Sequence, residues 1–185
     1  GCEDVTFREV WITSEDVDPV TNKMIELEKL YPLRGQNILS MQYFYNVPNS
    51  LRRLYREIID CYNNESYTLC AAGLRAIIEG ICAEKGILDG PVSVTQKDGS
   101  TQIKRNKDLQ GKIEGLNEKG LLTKQHSEIL HEHRYLGNEA LHDLDLPSAE
   151  ELKLAIQIIE HTLENIYELK DKAEELRYKK KLRKK

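Results

Sequence analysis

Residues 51–82, LRRLYREIIDCYNNESYTLCAAGLRAIIEGIC, decide the fold class because they contain two consecutive apolar stripes with helical spacing. In the first stripe, apolar side chains recur three and four residues apart, at Leu51, Leu54, Tyr55, Ile58, Ile59 and Tyr62. The second stripe has the same spacing, at Tyr67, Cys70, Ala71, Leu74, Ile77, Ile78 and Ile81. Between them, Asn63 and Asn64 favour a helix end, and Ser66 favours a new N-cap. The stretch therefore predicts an antiparallel pair of amphipathic helices joined by a short turn.

The later segments predict an inserted hairpin and three further helices. An Asp-Gly pair between two β-type runs is a strong turn signal, so we expect an inserted β-hairpin at about residues 86–107. Helices are predicted to begin at Asp108, at Thr123 and at Ser148, where a capping box marks the start. The last helix carries an apolar stripe at Leu152, Ile156, Ile159, Leu163, Ile166 and Ala173. The predicted fold is mainly α, an antiparallel helical bundle.

The first residues have a different character and are predicted to form an N-terminal extension over residues 1–47. Alternation over 4–13 indicates a strand, and the pattern over 21–30 indicates a short helix, followed by a connection without clear periodicity. We divide the rest of the chain into a helical bundle at 48–176 and a basic tail at 177–185.

The charge of the chain is distributed unevenly. The net charge is −4, but the tail RYKKKLRKK contains seven Lys or Arg residues and no acid, so the other residues carry −11. An acidic body is a poor non-specific nucleic-acid binder. The tail either contacts phosphate or acidic protein, or is a solvated helix end whose lysines complement the helix dipole.

Bulk properties predict a single helical domain in the cytoplasm. Charged residues make up 31% and aromatic residues 6% of the chain, and no apolar run reaches membrane-spanning length. The four cysteines, Cys2, Cys61, Cys70 and Cys82, form no C-x-x-C pair, and no secretory signal is present. We therefore expect reduced thiols and no membrane partner. Because the chain begins at Gly1 without a methionine, we expect a fragment or a processed form.

The segment 134–142, RYLGNEALH, places three polar groups and a glycine within a predicted helix. At about 100° per residue, the core stripe of this helix is predicted at Ile129, His133, Leu136 and Ala140. A polar row, defined as His131, Arg134, Asn138 and His142, lies on another side, with Leu130, Gly137 and Leu141 between the two. An interior glycine costs about 1 kcal/mol relative to alanine, which indicates close approach of another element. The polar row is either a solvated face or the lining of a cleft at a second helix or subunit.

Arg75 and Glu79 on the preceding helix leave two interpretations open. Four residues apart, they favour an intrahelical salt bridge, or they supply a buried polar partner for the row that contains Arg134. The histidines at 126, 131 and 133 have no four-ligand spacing, and the chain has no phosphate-binding glycine loop or nucleophile elbow. We therefore predict no metal and no small-molecule cofactor.

The segments LRAIIE and RYLGNEALH carry a resemblance to the domain-of-unknown-function family 4145. The similarity extends over roughly residues 51–169, apart from the hairpin. It implies a HEPN-like helical bundle (higher eukaryotes and prokaryotes nucleotide-binding) in a bacterial protein, with some relatives joined to restriction-type nucleases or other phage-defence parts. In addition, GCEDVTFREVW resembles the end of a zinc ribbon with Cys2 as its last ligand, although the other ligands are missing.

The same resemblance implies roles for the polar row. Many HEPN proteins are dimeric, metal-independent ribonucleases in which an arginine and a histidine on one helix cleave RNA through its own 2′-hydroxyl. Carried over to this chain, Arg134 stabilises phosphate charge, His142 transfers a proton and Asn138 lies between them. Seven residues separate Arg134 from His142, more than in the usual motif, and on a helix this step is about 12 Å.

Two functions are therefore expected. The favoured one is a non-catalytic binding or regulatory module, linked to phage defence or nucleic-acid metabolism, with Arg75, Glu79 and His131 as binding residues. The alternative is a ribonuclease that uses Arg134, Asn138 and His142. In either case we expect a homodimer whose partner is RNA or another protein.

Overall fold

The computed structural model describes residues 7–17, 24–31, 38–96, 99–142 and 147–183. Side chains are described throughout these ranges except at 11–17, 24–31 and 135–142. The chain divides into two compact units, Gly1–Leu39 and Ser40–Lys185. In this division residues 40–47, which the prediction placed in the N-terminal extension, group with the helices. Cys2, the expected remnant of a zinc ribbon, lies outside the described residues.

The first unit contains an antiparallel pair of strands, β1 (Phe7–Val17) and β2 (Met24–Tyr31). Phe7 lies opposite Tyr31, and the register shifts once along the ladder. The helix predicted over 21–30 is wrong where this segment is described, since it forms β2. Within its sequence, MIELEKLY, apolar and acidic residues alternate from Ile25 to Glu28, a period of two that suits a strand.

The second unit begins with the helix pair predicted from the opening stretch. Helix α1 spans Asn49–Asn63 and helix α2 spans Tyr67–Glu84, and they pack against each other. The core side chains of α1 are Leu51, Tyr55, Ile58, Ile59 and Tyr62, as the spacing predicted. Cys70 and Cys82 of α2 are fully buried, and burial raises the pKa of each thiol to about 12. These two cysteines behave as small apolar residues.

The inserted hairpin is confirmed, and it packs on the next helix. Strands β3 (Gly90–Thr95) and β4 (Thr101–Asn106) are antiparallel, and helix α3 (Leu109–Glu118) follows, capped by the Asp108 carboxylate. Strand β3 contacts α3 through glycines. A Cβ atom added at Gly90 would collide with the backbone of Gly111 and Gly115. Because these backbones touch directly, the hairpin fixes the position of α3.

The last part of the chain contains helices α4 (Lys124–His142), α5 (Ala149–Leu163) and α6 (Leu169–Leu182). The predicted capping box is present, since Ser148 accepts from the Glu151 backbone N–H and the Glu151 carboxylate accepts in return. A π-helical turn, Glu164–Glu168, separates α5 from α6. It adds a residue to the turn and rotates the buried face, so Tyr167 is buried while Ala173 is exposed. The predicted stripe is therefore wrong beyond Leu163.

The chain is mainly helical, and the described residues of each unit include one two-stranded sheet. The basic tail continues α6 as helix to Leu182, and the described side chains of α6 are exposed to solvent. Of the helices that the structure describes, none is both long and apolar enough to cross a bilayer.

Candidate functional site

Helix α4 carries the motif RYLGNEALH in a continuous helical backbone. Thr123 caps the helix, because its hydroxyl accepts from the His126 backbone N–H at 3.3 Å. The helix then runs through Gly137 to His142. The helical placement of the motif is thus confirmed. The side chains of Asn138 and His142 lie outside those that the structure describes, so their predicted roles stay predictions.

The buried face of α4 differs from the predicted one. Ile129, expected in the core, is 37% exposed, whereas Leu130, expected at the flank, is completely buried. Ser127 and His133 are also buried. The prediction assumed that α4 is covered on one side only. Because α4 contacts α2, α3 and α5, more than one of its sides is covered. As a result, His131 and Arg134 lie beside the buried surface and are half-buried rather than solvated.

His131 contacts a carboxylate on the neighbouring helix α3. Its Nε2 atom lies 2.7 Å from Oε1 of Glu114, and the two side chains are 18% and 27% exposed. At this distance the tautomer with a proton on Nε2 donates to the carboxylate. The contact joins α4 to α3, a helix that the sequence interpretation did not connect with His131.

Glu79 makes the corresponding contact on the other side of α3. Its carboxylate forms an ion pair with the ammonium group of Lys112, and both side chains are largely buried. Ile113, between Lys112 and Glu114 in the sequence, is fully buried. Lys112 and Glu114 are two residues apart, so on a helix their side chains point about 200° apart. Lys112 therefore contacts α2 on one side of α3, and Glu114 contacts α4 on the other side. We call Glu79, Lys112, Glu114 and His131 the polar junction.

Arg75 and Arg134 complete the set of described candidates. Arg75 on α2 and Arg134 on α4 are both half-buried, and these two helices pack against each other. The structure thus brings Glu79 and His131 to opposite sides of α3, each with a partner that the sequence interpretation did not include. The missed signal was Lys112-Ile-Glu114, a cation and an acid that flank an apolar residue on a short helix.

His133 is the one histidine in the core among the residues that the structure describes. It is 3% exposed, and burial lowers the pKa of His133 to about 4. The imidazole is therefore neutral at physiological pH and fills space between α4 and α5.

A small cleft lies between α4 and α5. It has a volume of about 140 Å³, and its polar lining includes His126, His161 and Asn165. Asn165 belongs to the π-helical turn and lies 3.5 Å from the ring of His126. Within the described part of the chain, no cluster of three or more His, Cys, Asp or Glu side chains is arranged to hold a metal ion.

A family assignment follows from comparison with known families. The model of a family described as "Domain of unknown function (DUF4145)" matches residues 56–185. The chain belongs to this family. The matched region begins within α1 and includes the polar junction and the whole of α4. Comparison with curated proteins and with solved structures found no match.

Proposed function

We propose that this member of the DUF4145 family is a non-catalytic binding or regulatory module of a bacterial protein that acts in phage defence or nucleic-acid metabolism. The observation that carries the proposal is the 2.7 Å contact between His131 and Glu114. This imidazole belongs to the polar row, yet it joins two helices instead of facing an open cleft. A histidine held in this way stabilises the bundle, and within the described part of the polar row no other imidazole is available as a general base.

The ion pair between Glu79 and Lys112 supports the same proposal. Charged groups removed from water need partners, and each of the four side chains of the polar junction has one. They hold α3 between α2 and α4 and make this part of the molecule a rigid scaffold. The proposal includes a HEPN-like bundle and a homodimer, for which the interior glycine of α4 is the supporting feature, since it allows close approach of a second chain.

The alternative is a dimeric, metal-independent ribonuclease. Its support is that α4 is continuous, so Arg134 and His142 share one helix. The two residues are separated by about 12 Å along the helix axis, a long reach to one phosphodiester.

An RNA-cleavage assay separates the two functions. Structured RNA is incubated in EDTA with the wild type, Arg134→Ala, His142→Ala and a matched control, His161→Ala, which removes an exposed histidine from α5. The binding proposal expects no cleavage that depends on Arg134 or His142. Cleavage by the wild type and the control, but by neither α4 variant, would establish the ribonuclease and refute the proposal.

The binding role and the dimer need their own measurements. Affinity capture with the wild type and with a chain that lacks residues 177–185 shows whether the basic tail selects the partner. If both chains capture identical partners, the tail does not select them. Light scattering after size exclusion gives the mass in solution. A monomer at all accessible concentrations would contradict the dimer.

A further inference from the structure

A cleft at the start of the helical unit has a composition unlike that of the polar junction. It has a volume of about 430 Å³, within the usual range for ligand sites. The residues on which its chemistry depends are Met41, Tyr43, Asn49, Arg52, Arg53 and Arg56. No carboxylate is present among the described residues that line it. We call it the arginine–tyrosine cleft, defined by Tyr43, Arg52, Arg53 and Arg56.

The three arginines lie on one side of α1. At about 100° per residue, Arg52, Arg56 and Arg53 fall in that order within an arc of about 100°, away from the buried face. Arg52 is fixed, because it donates to the Phe44 carbonyl at 3.3 Å. Arg53 is 80% exposed and lies 3.8 Å from Glu57, a surface pair that is weak in water. The cleft therefore concentrates positive charge on a chain that is acidic overall.

The segment that forms the opposite wall is held firmly against the helices. The Gln42 backbone N–H donates to the Tyr55 hydroxyl at 3.1 Å, and the Asn46 backbone N–H donates to the buried Glu168 carboxylate at 2.8 Å. Phe44 and Val47 are 2% and 1% exposed. Because hydrogen bonds and buried side chains fix this segment, the cleft is formed in advance of ligand binding.

The same segment displays aromatic rings to solvent. Tyr43 and Tyr45 are 68% and 77% exposed, on either side of the buried Phe44. Their rings are in edge contact, with centroids 4.9 Å apart. Large exposed aromatic side chains beside guanidinium groups are the combination that binds single-stranded nucleic acid, in which bases stack on the rings and cations contact the backbone.

We propose that the arginine–tyrosine cleft binds a single-stranded polynucleotide, with phosphates at Arg53 and Arg56 and a base stacked on Tyr43. A single strand fits better than a duplex, because stacking on a tyrosine needs an unpaired base. It also fits better than a phosphorylated peptide, which would use the arginines but leave the exposed rings without a role. The site is separate from the polar junction, so it does not depend on the function proposed for α4.

Fluorescence anisotropy tests this site directly. The full chain is titrated into labelled oligodeoxyuridylate and labelled oligouridylate, which differ only in the sugar, over a series of salt concentrations. Tyr43→Ala is expected to weaken binding roughly fivefold to a hundredfold, the loss of one stacked base. Arg56→Ala is expected to reduce the slope of log K against log salt by about 0.7, the contribution of one phosphate on a single strand.

Matched controls separate this cleft from general charge attraction. Tyr178→Ala removes a tyrosine that is 62% exposed beside the lysines of α6, and Lys153→Ala removes an exposed cation from α5. Both are expected to bind like the wild type, and circular dichroism checks that all variants are folded. A preference for one oligonucleotide, lost in Tyr43→Ala, supports the proposal and assigns the ligand as DNA or RNA.

Three results would overturn the proposal. The first is the absence of binding to either oligonucleotide at low salt. The second is equal weakening by Tyr43→Ala and Tyr178→Ala, which would place binding on the tail or on diffuse charge. The third is binding of a duplex or of a tyrosine-phosphorylated peptide at least as tight as that of the single strands.

Discussion

The polar junction and the arginine–tyrosine cleft use charged side chains in opposite ways. In the junction, Glu114 and His131 are 27% and 18% exposed and contact each other across two helices. In the cleft, Arg53 is 80% exposed, and it lies 3.8 Å from Glu57 on the surface of the same helix. Both regions lie beside the apolar core of the same unit, so proximity to the core does not explain the difference.

The difference lies in what fixes each region. Removing a charged or polar group from water is costly unless a partner replaces the water, so the half-buried side chains of the junction pair with each other and hold α3 in place. The wall of the cleft is fixed instead by backbone hydrogen bonds and by buried Phe44 and Val47. Its arginines and tyrosines are therefore not all needed for stability and remain accessible to a ligand.

The largest expected effect comes from moving α3 without changing any charge. In Gly111→Ala, the added Cβ would collide with the backbone carbonyl of Asn106 at the end of β4. Since neither backbone can yield without displacing the hairpin, we expect the free energy of unfolding to fall by about 3 kcal/mol. Urea denaturation at neutral pH measures this loss. Binding at the arginine–tyrosine cleft should persist in the fraction that is folded.

The control for this substitution is Gly120→Ala. Gly120 has a φ of +68°, but a Cβ there would meet no atom within 4 Å. Its cost is therefore limited to backbone strain, about 1 kcal/mol. If Gly111→Ala were no more destabilising than Gly120→Ala, the hairpin would not fix α3, and the junction would depend on its charges alone.

The second prediction concerns His133, a buried polar group that remains neutral. Its pKa is about 4 in the folded chain, below the ordinary value of 6.5, so the unfolded chain binds the proton first. Its contribution to stability is complete above pH 6.5 and is lost as the pH falls from 6.5 towards 4. Between pH 7 and pH 5 we expect a loss of about 2 kcal/mol, measured by urea denaturation at each pH.

Replacing His133 by leucine isolates this contribution from the titration of carboxylates. The His133→Leu variant should lack the loss between pH 7 and pH 5, whatever its stability at pH 7. The matched variant His161→Leu removes an exposed imidazole of α5 and should keep the pH dependence of the wild type. An unchanged pH dependence in His133→Leu would show that another group controls it.

Much of the fold was predictable because its signals are local. The stripe of α1, the Asp-Gly turn of the hairpin and the capping box at Ser148 each depend on a few neighbouring residues. The failures are at β2, where a short run was assigned to a helix, and after Leu163, where a π-helical turn rotates the buried face. Neither a strand partner nor an inserted residue can be deduced from apolar spacing in one segment.

The candidate site was predictable only in part, because its contacts join distant segments. The motif in α4 was placed on a helix correctly, but its local pattern does not indicate which other helices cover it. Glu114 is distant from His131 in the chain, and Lys112 is distant from Glu79. Both pairings therefore depend on how α3 packs. The arginine–tyrosine cleft was missed for the same reason, although its arginines are close in sequence.

A double-mutant cycle measures whether the junction pair is coupled more strongly than a surface pair. The free energy of unfolding is determined for Glu114→Ala, His131→Ala and the double variant. We expect a coupling of about 1 kcal/mol, because the contact is short and largely shielded from water. The reference is Lys124 and Glu128, which are 4.0 Å apart and 83% and 64% exposed, and whose coupling should not exceed about 0.5 kcal/mol. If the two pairs had equal coupling energies, the contact between Glu114 and His131 would be no stronger than an exposed surface pair.

The smallest expected effect tests how the wall of the cleft is held. Asn46→Ala removes the hydrogen bond from its side chain to Glu168 but keeps the one from its backbone N–H. Because Phe44 and Val47 stay buried, we expect the free energy of unfolding to fall by only about 0.5 kcal/mol and oligonucleotide affinity to change less than about twofold. Denaturation and anisotropy on the same sample check both values. A large loss of affinity with normal stability would mean that one side chain, and not the backbone and buried residues, positions Tyr43.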